Sequence, residues 1–174
     1  MDCAVCAEIN LPGFDRMLSV AFTGHRAASL PWRYNESDER CLRVKARLRE
    51  AIGSAYASGK RFFLSGMASG TDVYAAEAVL GLKSVYPGIR LICVFPCPAA
   101  DRRAAEIASR ADCTVLLSNE YTAGCLQLRN RFLVDNSSLL IAVYDGRLSG
   151  GTLSTLRLAE QKGLRTVLIG CERR

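Results

Sequence analysis

The sequence predicts a Rossmann-like, doubly wound α/β domain: a parallel sheet of about six strands with helices on both faces. Two observations lead there. Six short runs are apolar almost without interruption, as strands buried on both faces must be, and a helix-like stretch separates each from the next. Glycine and small hydroxyl residues also gather directly after several of the runs, where such sheets bind ligands.

The elements follow in order. Residues 18–23 form the first strand candidate, ending at Gly24. Residues 39–58 read as a helix, since Cys41, Val44, Leu48, Ile52 and Ala55 share one face while Arg40, Arg43, Arg47 and Glu50 lie opposite. Gly59 stops it. Residues 61–65 make the second strand, followed by a glycine turn and a helix over 72–86 that Pro87-Gly88 breaks. The third strand covers 91–95, and Pro96 and Pro98 close it. A short helix rich in Ala and Arg spans 99–111, and residues 113–117 make strand four. A helix over 124–136, strand five over 139–144, a helix over 153–162 and strand six over 166–169 complete the pattern. Residues 1–16 stand outside it and are expected to be a loosely ordered extension, with a single domain over 17–174; Met17, at the edge of the first strand, is an alternative start.

Composition bounds the function. The chain has 174 residues, 49% hydrophobic and 23% charged, which excludes wholesale disorder and fibrous repeats. Lys and Arg number 23 against 17 acidic residues, a net charge of +6, and arginine's planar fork suits phosphate or carboxylate. A GC-rich genome's preference for arginine explains the same excess equally well. The first 17 residues hold Asp2, Glu8, Asp15 and Arg16 and no apolar core of a signal peptide. No apolar run approaches the roughly 18 residues of a membrane span. Eight cysteines, several inside apolar runs such as residues 91–95, then suggest free thiols in a reducing cytosol. Cys3-x-x-Cys6 and Cys93-x-x-x-Cys97 lack a second pair at ligand spacing, so neither zinc nor another cofactor is expected.

Four loops after strands carry the candidate site. The first is Thr23-Gly24-His25-Arg26. The second, Ser65-Gly66-Met67-Ala68-Ser69-Gly70-Thr71-Asp72, is the sharpest signal: its glycines permit close backbone approach, and Thr71 or Asp72 opens a helix whose free N–H groups attract an anion. It matches neither G-x-G-x-x-G nor the phosphate loop that ends in lysine, which argues against an ordinary dehydrogenase or ATPase. A tight strand–helix turn would need the same glycines. The third loop contributes Tyr121, with Arg129 on the helix beyond it. The fourth runs from Asp145 through Gly150-Gly151-Thr152, where Thr152 is a natural N-cap. His25, the single histidine, and Arg26 suit a phosphate or ribose contact better than acid–base work, because no carboxylate motif accompanies the imidazole. Asp72 is a ribose or base contact, or simply a helix cap. The stripe Arg40, Arg43 and Arg47 reads as a solvated helix face.

Ser65-Gly-Met-Ala-Ser-Gly-Thr-Asp-Val-Tyr-Ala75 resembles the S-G-[LM]-A-x-G-x-D-x-x-A signature of the SLOG superfamily, which unites the DNA-processing protein DprA with the LOG phosphoribohydrolases. Phe22-Thr-Gly-His-Arg26, Leu30-Pro-Trp32, Glu36-Ser-Asp38, Pro96-Cys-Pro98, Tyr121-Thr-x-Gly-Cys125, Arg129-Asn-Arg131 and Val143-Tyr-Asp-Gly146 are similar to its YpsA-like branch of bacterial proteins, over residues 18–169. The resemblance implies a Rossmann-like domain that binds a nucleotide or nucleotide-derived ligand. LOG enzymes carry P-G-G-x-G-T-x-x-E with a hydrolytic glutamate; here that position holds Thr155 or Arg157, according to register, so the LOG mechanism is not expected.

Three readings follow. The first is a cytosolic binder or sensor of a nucleotide or ADP-ribose-like small molecule, with Tyr121 and Trp32 stacking on a base if their loops fold over the site. The second is a nucleotide N-glycosidase or phosphoribohydrolase that uses a displaced carboxylate, Glu77 and Glu120 being candidates. The third is single-stranded DNA binding as in DprA, disfavoured because no aromatic residues interleave the arginines. No membrane partner is expected. LOG-type relatives associate through helix faces, which makes a homodimer a reasonable expectation.

Overall fold

The computed structural model describes residues 7–99 and 101–171. Its sheet holds six strands: β1 Ser19–Gly24, β2 Phe62–Ser65, β3 Arg90–Phe95, β4 Cys113–Leu116, β5 Leu139–Tyr144 and β6 Arg165–Gly170. All neighbours pair in parallel, in the order β4-β3-β2-β1-β5-β6. The helices are α1 Glu39–Ala57, α2 Thr71–Leu82, α3 Arg102–Ser109, α4 Cys125–Asp135 and α5 Gly151–Gln161. The chain winds outward from β1 to β4 and then crosses back to β5, so the direction of winding reverses between β1 and β5.

Successive strand residues point to opposite faces of the sheet, which is why the strands are apolar throughout. Phe22, Phe63 and Leu91 meet Val44, Leu48 and Ile52 of α1, Val79 of α2 and Ile107 of α3 in one core. Ala21, Leu64, Ile92 and Leu140 meet Leu133 and Val134 of α4 and Ala159 of α5 in the other. The α1 face that periodicity picked out is the buried one, from Cys41 to Ala55. Ten of the twelve residues of α2 are buried, because it lies between the sheet and its neighbouring helices.

Four details differ from the sequence pattern. Helix α2 ends at Leu82, and residues 83–88 continue as turns in which Tyr86 N–H donates to Leu82 O. Helix α3 is shorter than expected, at eight residues. Helix α5 begins at Gly151, with Gly150 at the N-cap; Thr152 lies inside the first turn and is not the cap. Strand β6 forms one edge of the sheet and is largely exposed, so the covering of both faces weakens there.

The described part of the expected extension is packed. Ala7, Ile9, Leu11 and Phe14 lie against the second core, and the Phe14 ring meets Phe62 edge-on at 5.3 Å. Asp15 caps the short turn Arg16–Leu18, accepting from Met17 N–H at 2.8 Å. Cys3 and Cys6 lie outside the described residues.

Candidate functional site

The carboxyl end of β1 and the loop after β5, where the winding reverses, border a cavity of about 230 Å³. Open α/β sheets bind ligands at this position. The loop after β1 lends Gly24, His25 and Arg26 to it, the loop after β2 lends Ala68 and Asp72, and the start of α5 lends Gly150, Gly151 and Thr152. Arg129 enters from α4. A second cavity of about 230 Å³ adjoins it, lined by Gly66, Met67 and Ser69 together with residues of the loop after β3. A larger cavity, about 560 Å³, is an open groove between α4 and α5 that includes Gln127, Arg131 and Arg157. Of its lining residues only Gly124 precedes a helix, the rest lie on α4 and α5, and none is acidic.

The loops after β1 and β2 are tied to each other. Ala27 N–H donates to Ser69 O at 3.2 Å, and Thr71 donates to His25 O from both its backbone N and its Oγ1, at 3.3 and 3.1 Å. Met67 N–H donates to Ser65 Oγ and Ala68 N–H to Asp72 Oδ2. Three backbone donors of the sharpest sequence signal, on Met67, Ala68 and Thr71, are therefore engaged within the protein.

Two glycines of this loop answer to neighbours in the protein. A Cβ on Gly66 would stand 2.8 Å from Arg129 Cδ and Nε, so its absence seats the arginine. Gly70 has φ +89°, and a Cβ there would lie 2.5 Å from Ala27 N. Met67, at φ +58°, holds the left-handed conformation with a full side chain, which bulky residues seldom do. The start of α5 is different. Beyond its chain neighbours and the backbone of its own helix, no described residue lies within 4 Å of a Cβ placed on Gly151, and no side chain caps this helix end.

Arg129 is buried and braces the site. Its Nη1 donates to Gly66 O at 2.8 Å, and its Nε and Nη2 donate to Asn130 Oδ1. Nη1 also lies 3.8 Å from Asp72 Oδ2. Burial pushes the Asp72 carboxyl up, while Arg129, the Ala68 N–H and Arg26 pull it back. The Arg26 side chain is exposed and makes no hydrogen bond or close ion pair among the described residues, so it is the uncommitted cation of the cleft.

The carboxylate that the local sequence around His25 lacks is Asp145. His25 Nε2 lies 3.0 Å from Asp145 Oδ1 and 3.2 Å from the Asp145 backbone N. A neutral ring accepts from that N–H, and a protonated ring donates to the carboxylate. Arg147 grips the same carboxylate through Nε and Nη2 and reaches Ser29 O at 3.1 Å, which joins the loop after β5 to the loop after β1.

Other candidates fall elsewhere. Tyr121 is 71% exposed and lines neither cavity of the cleft. Trp32 is buried and borders a separate cavity with Arg40, Arg43 and Arg47, so it cannot stack on a ligand here. Glu77 is held by Arg103, and neither it nor Glu120 lines the cleft. The first turn of α5 carries no acid, and Thr155 Oγ1 donates to Gly151 O at 2.9 Å. Arg147 and Leu126 are lining residues that the sequence did not single out, while Asn130 belongs to the Arg129-Asn-Arg131 motif. Arg147 follows Asp145 in a named loop, but no local pattern marks Leu126.

The comparison that settles the kinship is the match of residues 20–168 to the YspA SLOG family. The chain belongs to that family. A UPF0398 protein of Bacillus velezensis is 23% identical over 156 residues, 84% of this chain and 85% of the relative. The UPF0398 protein YpsA of Bacillus subtilis is 22% identical over 156 residues, 84% of this chain and 86% of its own. A UPF0398 protein of Levilactobacillus brevis shows 27% identity over 138 residues, 74% and 72% of the two chains. No helix among the described residues of this SLOG chain is long and apolar enough to cross a membrane.

Proposed function

We propose that this SLOG protein is a cytosolic module that binds a nucleotide or nucleotide-derived anion in the cleft between β1 and β5. One observation carries the reading: an uncommitted cation, Arg26, shares a cavity with the open N-terminus of α5 at the point where the sheet reverses. The N–H groups of that first turn and the helix dipole favour a phosphate. Arg26 supplies countercharge, and Asp72 and Thr152 are polar partners for a ribose. The loop after β2 acts mainly as a rigid wall, since its donors and glycines are bound up with the loop after β1 and with Arg129.

A thermal-shift panel of AMP, ADP, ADP-ribose and short oligonucleotides tests this. A ligand at 100 times its dissociation constant adds about 2.7 kcal/mol to stability, a rise of several degrees. Gly151→Glu is expected to abolish the rise. Stabilisation by oligonucleotides alone, with no response to any nucleotide, would show the reading to be wrong.

A second reading, hydrolysis of a nucleotide's glycosidic bond, draws on the position of Asp72, whose burial-raised carboxyl lines the same cavity. Water would add to the anomeric carbon and the base would leave with a proton. Incubation with AMP followed by chromatography for free adenine and ribose 5-phosphate separates enzyme from binder.

A further inference from the structure

The second cavity, over the carboxyl ends of β2 and β3, has no part in the proposal above. Its walls are largely apolar: Met67, Phe95, Pro96, Pro98 and Leu126. It shares Arg26, Ala68, Leu126 and Arg129 with the polar cavity, so the two meet along a rim that carries two guanidinium groups. Each cavity holds about 230 Å³. Small-molecule pockets begin at roughly 300 Å³ and combine apolar walls with a few polar groups that fix orientation. Neither cavity meets that description alone, and the pair does.

The geometry points to a two-ended ligand, a nucleoside diphosphate whose base fills the apolar cavity and whose phosphates cross the Arg26–Arg129 rim toward the start of α5. The inference rests on the anion reading of the polar cavity and adds the other end of the ligand. A phosphate or sugar phosphate would leave the apolar walls wetted, whereas a flat heteroaromatic base displaces that water and places its faces against proline and phenylalanine. The two guanidinium groups of the rim attract a diphosphate, although Asp72, 3.8 Å from Arg129, offsets part of their charge. Arg26 has no ion pair among the described residues, and Arg129 uses three of its five N–H donors on Gly66 and Asn130.

Cys97 is a free, half-buried thiol in the wall of the apolar cavity and reports on its occupancy. The experiment alkylates the protein with N-ethylmaleimide and follows the Cys97 peptide by mass spectrometry, without ligand, with saturating ADP, and with saturating ribose 5-phosphate. ADP is expected to slow Cys97 labelling by about tenfold or more, since saturation leaves few sites open. Ribose 5-phosphate is expected to leave it unchanged, and Cys113, a half-buried thiol on β4, should respond to neither. If ADP and ribose 5-phosphate compete for the protein yet ADP leaves Cys97 unprotected, the base lies elsewhere; this inference falls and the anion reading stands. If ribose 5-phosphate binds and ADP does not, the two-ended ligand is likewise overturned. If neither binds, both readings fall together.

Discussion

Glycines in the cleft have unequal duties, and substitution separates them. At Gly66 a methyl group presses on the buried Arg129 side chain, and at Gly70 it meets backbone while φ is +89°. Overpacking of this kind costs about 1–3 kcal/mol, so Gly66→Ala should lower the unfolding free energy by that amount, read as a lower urea midpoint with an unchanged slope. Gly70→Ala should cost more, because backbone atoms cannot swing aside as a side chain can. Gly151→Ala faces open space and should change stability by less than about 0.5 kcal/mol. Its effect belongs in nucleotide affinity, read by calorimetry. A loss of stability at Gly151 equal to that at Gly66 would contradict the division between a bound wall and an open helix end. The sequence announced both sets of glycines in the same way, since spacing records that a Cβ is absent and not what occupies its place.

At the level of elements, the short α3 is anchored by charge. Arg103 bonds Glu77 of α2 through Nε at 2.7 Å, and its Nη1 and Nη2 both reach Glu36, which also accepts from Lys45 of α1 at 2.6 Å. These partners, Arg103 first, hold the Glu36 carboxyl at about 2 against its ordinary 4.5, with burial opposing them. A carboxyl lowered on folding contributes its stability fully above 4.5 and loses it as pH falls through about 2. Denaturation midpoints should therefore decline across that window, and Arg103→Ala should flatten the decline. Glu36 is part-exposed, so the contribution at neutral pH is on the order of 1 kcal/mol after solvent screening. An unaltered acid limb in the variant would remove the clasp from the account. Element type and order were legible beforehand, because the 3.6-residue period of α1 and the apolar runs of the strands are local patterns. Helix ends were less so: α5 starts at a glycine that no local preference selects, and the expected Thr152 cap lies inside the turn.

Across the whole molecule, residues 7–14 are the part most undervalued by pattern. Phe14 seals the edge of the second core against Phe62, beside Ile9 and Leu11. A buried Phe→Ala change costs about 3–5 kcal/mol, and partial burial brings the expectation for Phe14→Ala to about 2 kcal/mol. Chemical denaturation measures it, and a change under about 0.5 kcal/mol would mean that the segment only rests on the surface. Nothing in a short stretch of sequence reveals such docking, because the face of the second core that receives it is assembled from elsewhere in the chain.

Local physics thus settled the class of this SLOG domain. Short continuous apolar runs bounded by turn residues read as strands covered on both faces, and the intervening amphipathic stretches supply the cover. The glycine-rich loops placed after those strands already lay on the side where such sheets bind. The assembly of the cleft was decided by the crossover from β4 to β5. It sets Asp145 beside His25 across a separation of 120 positions, lays Arg129 of α4 on Gly66 of the β2 loop, and brings Arg26 into one cavity with the open end of α5. Those meetings depend on which strands become neighbours, and no local preference for turn, helix or strand encodes that.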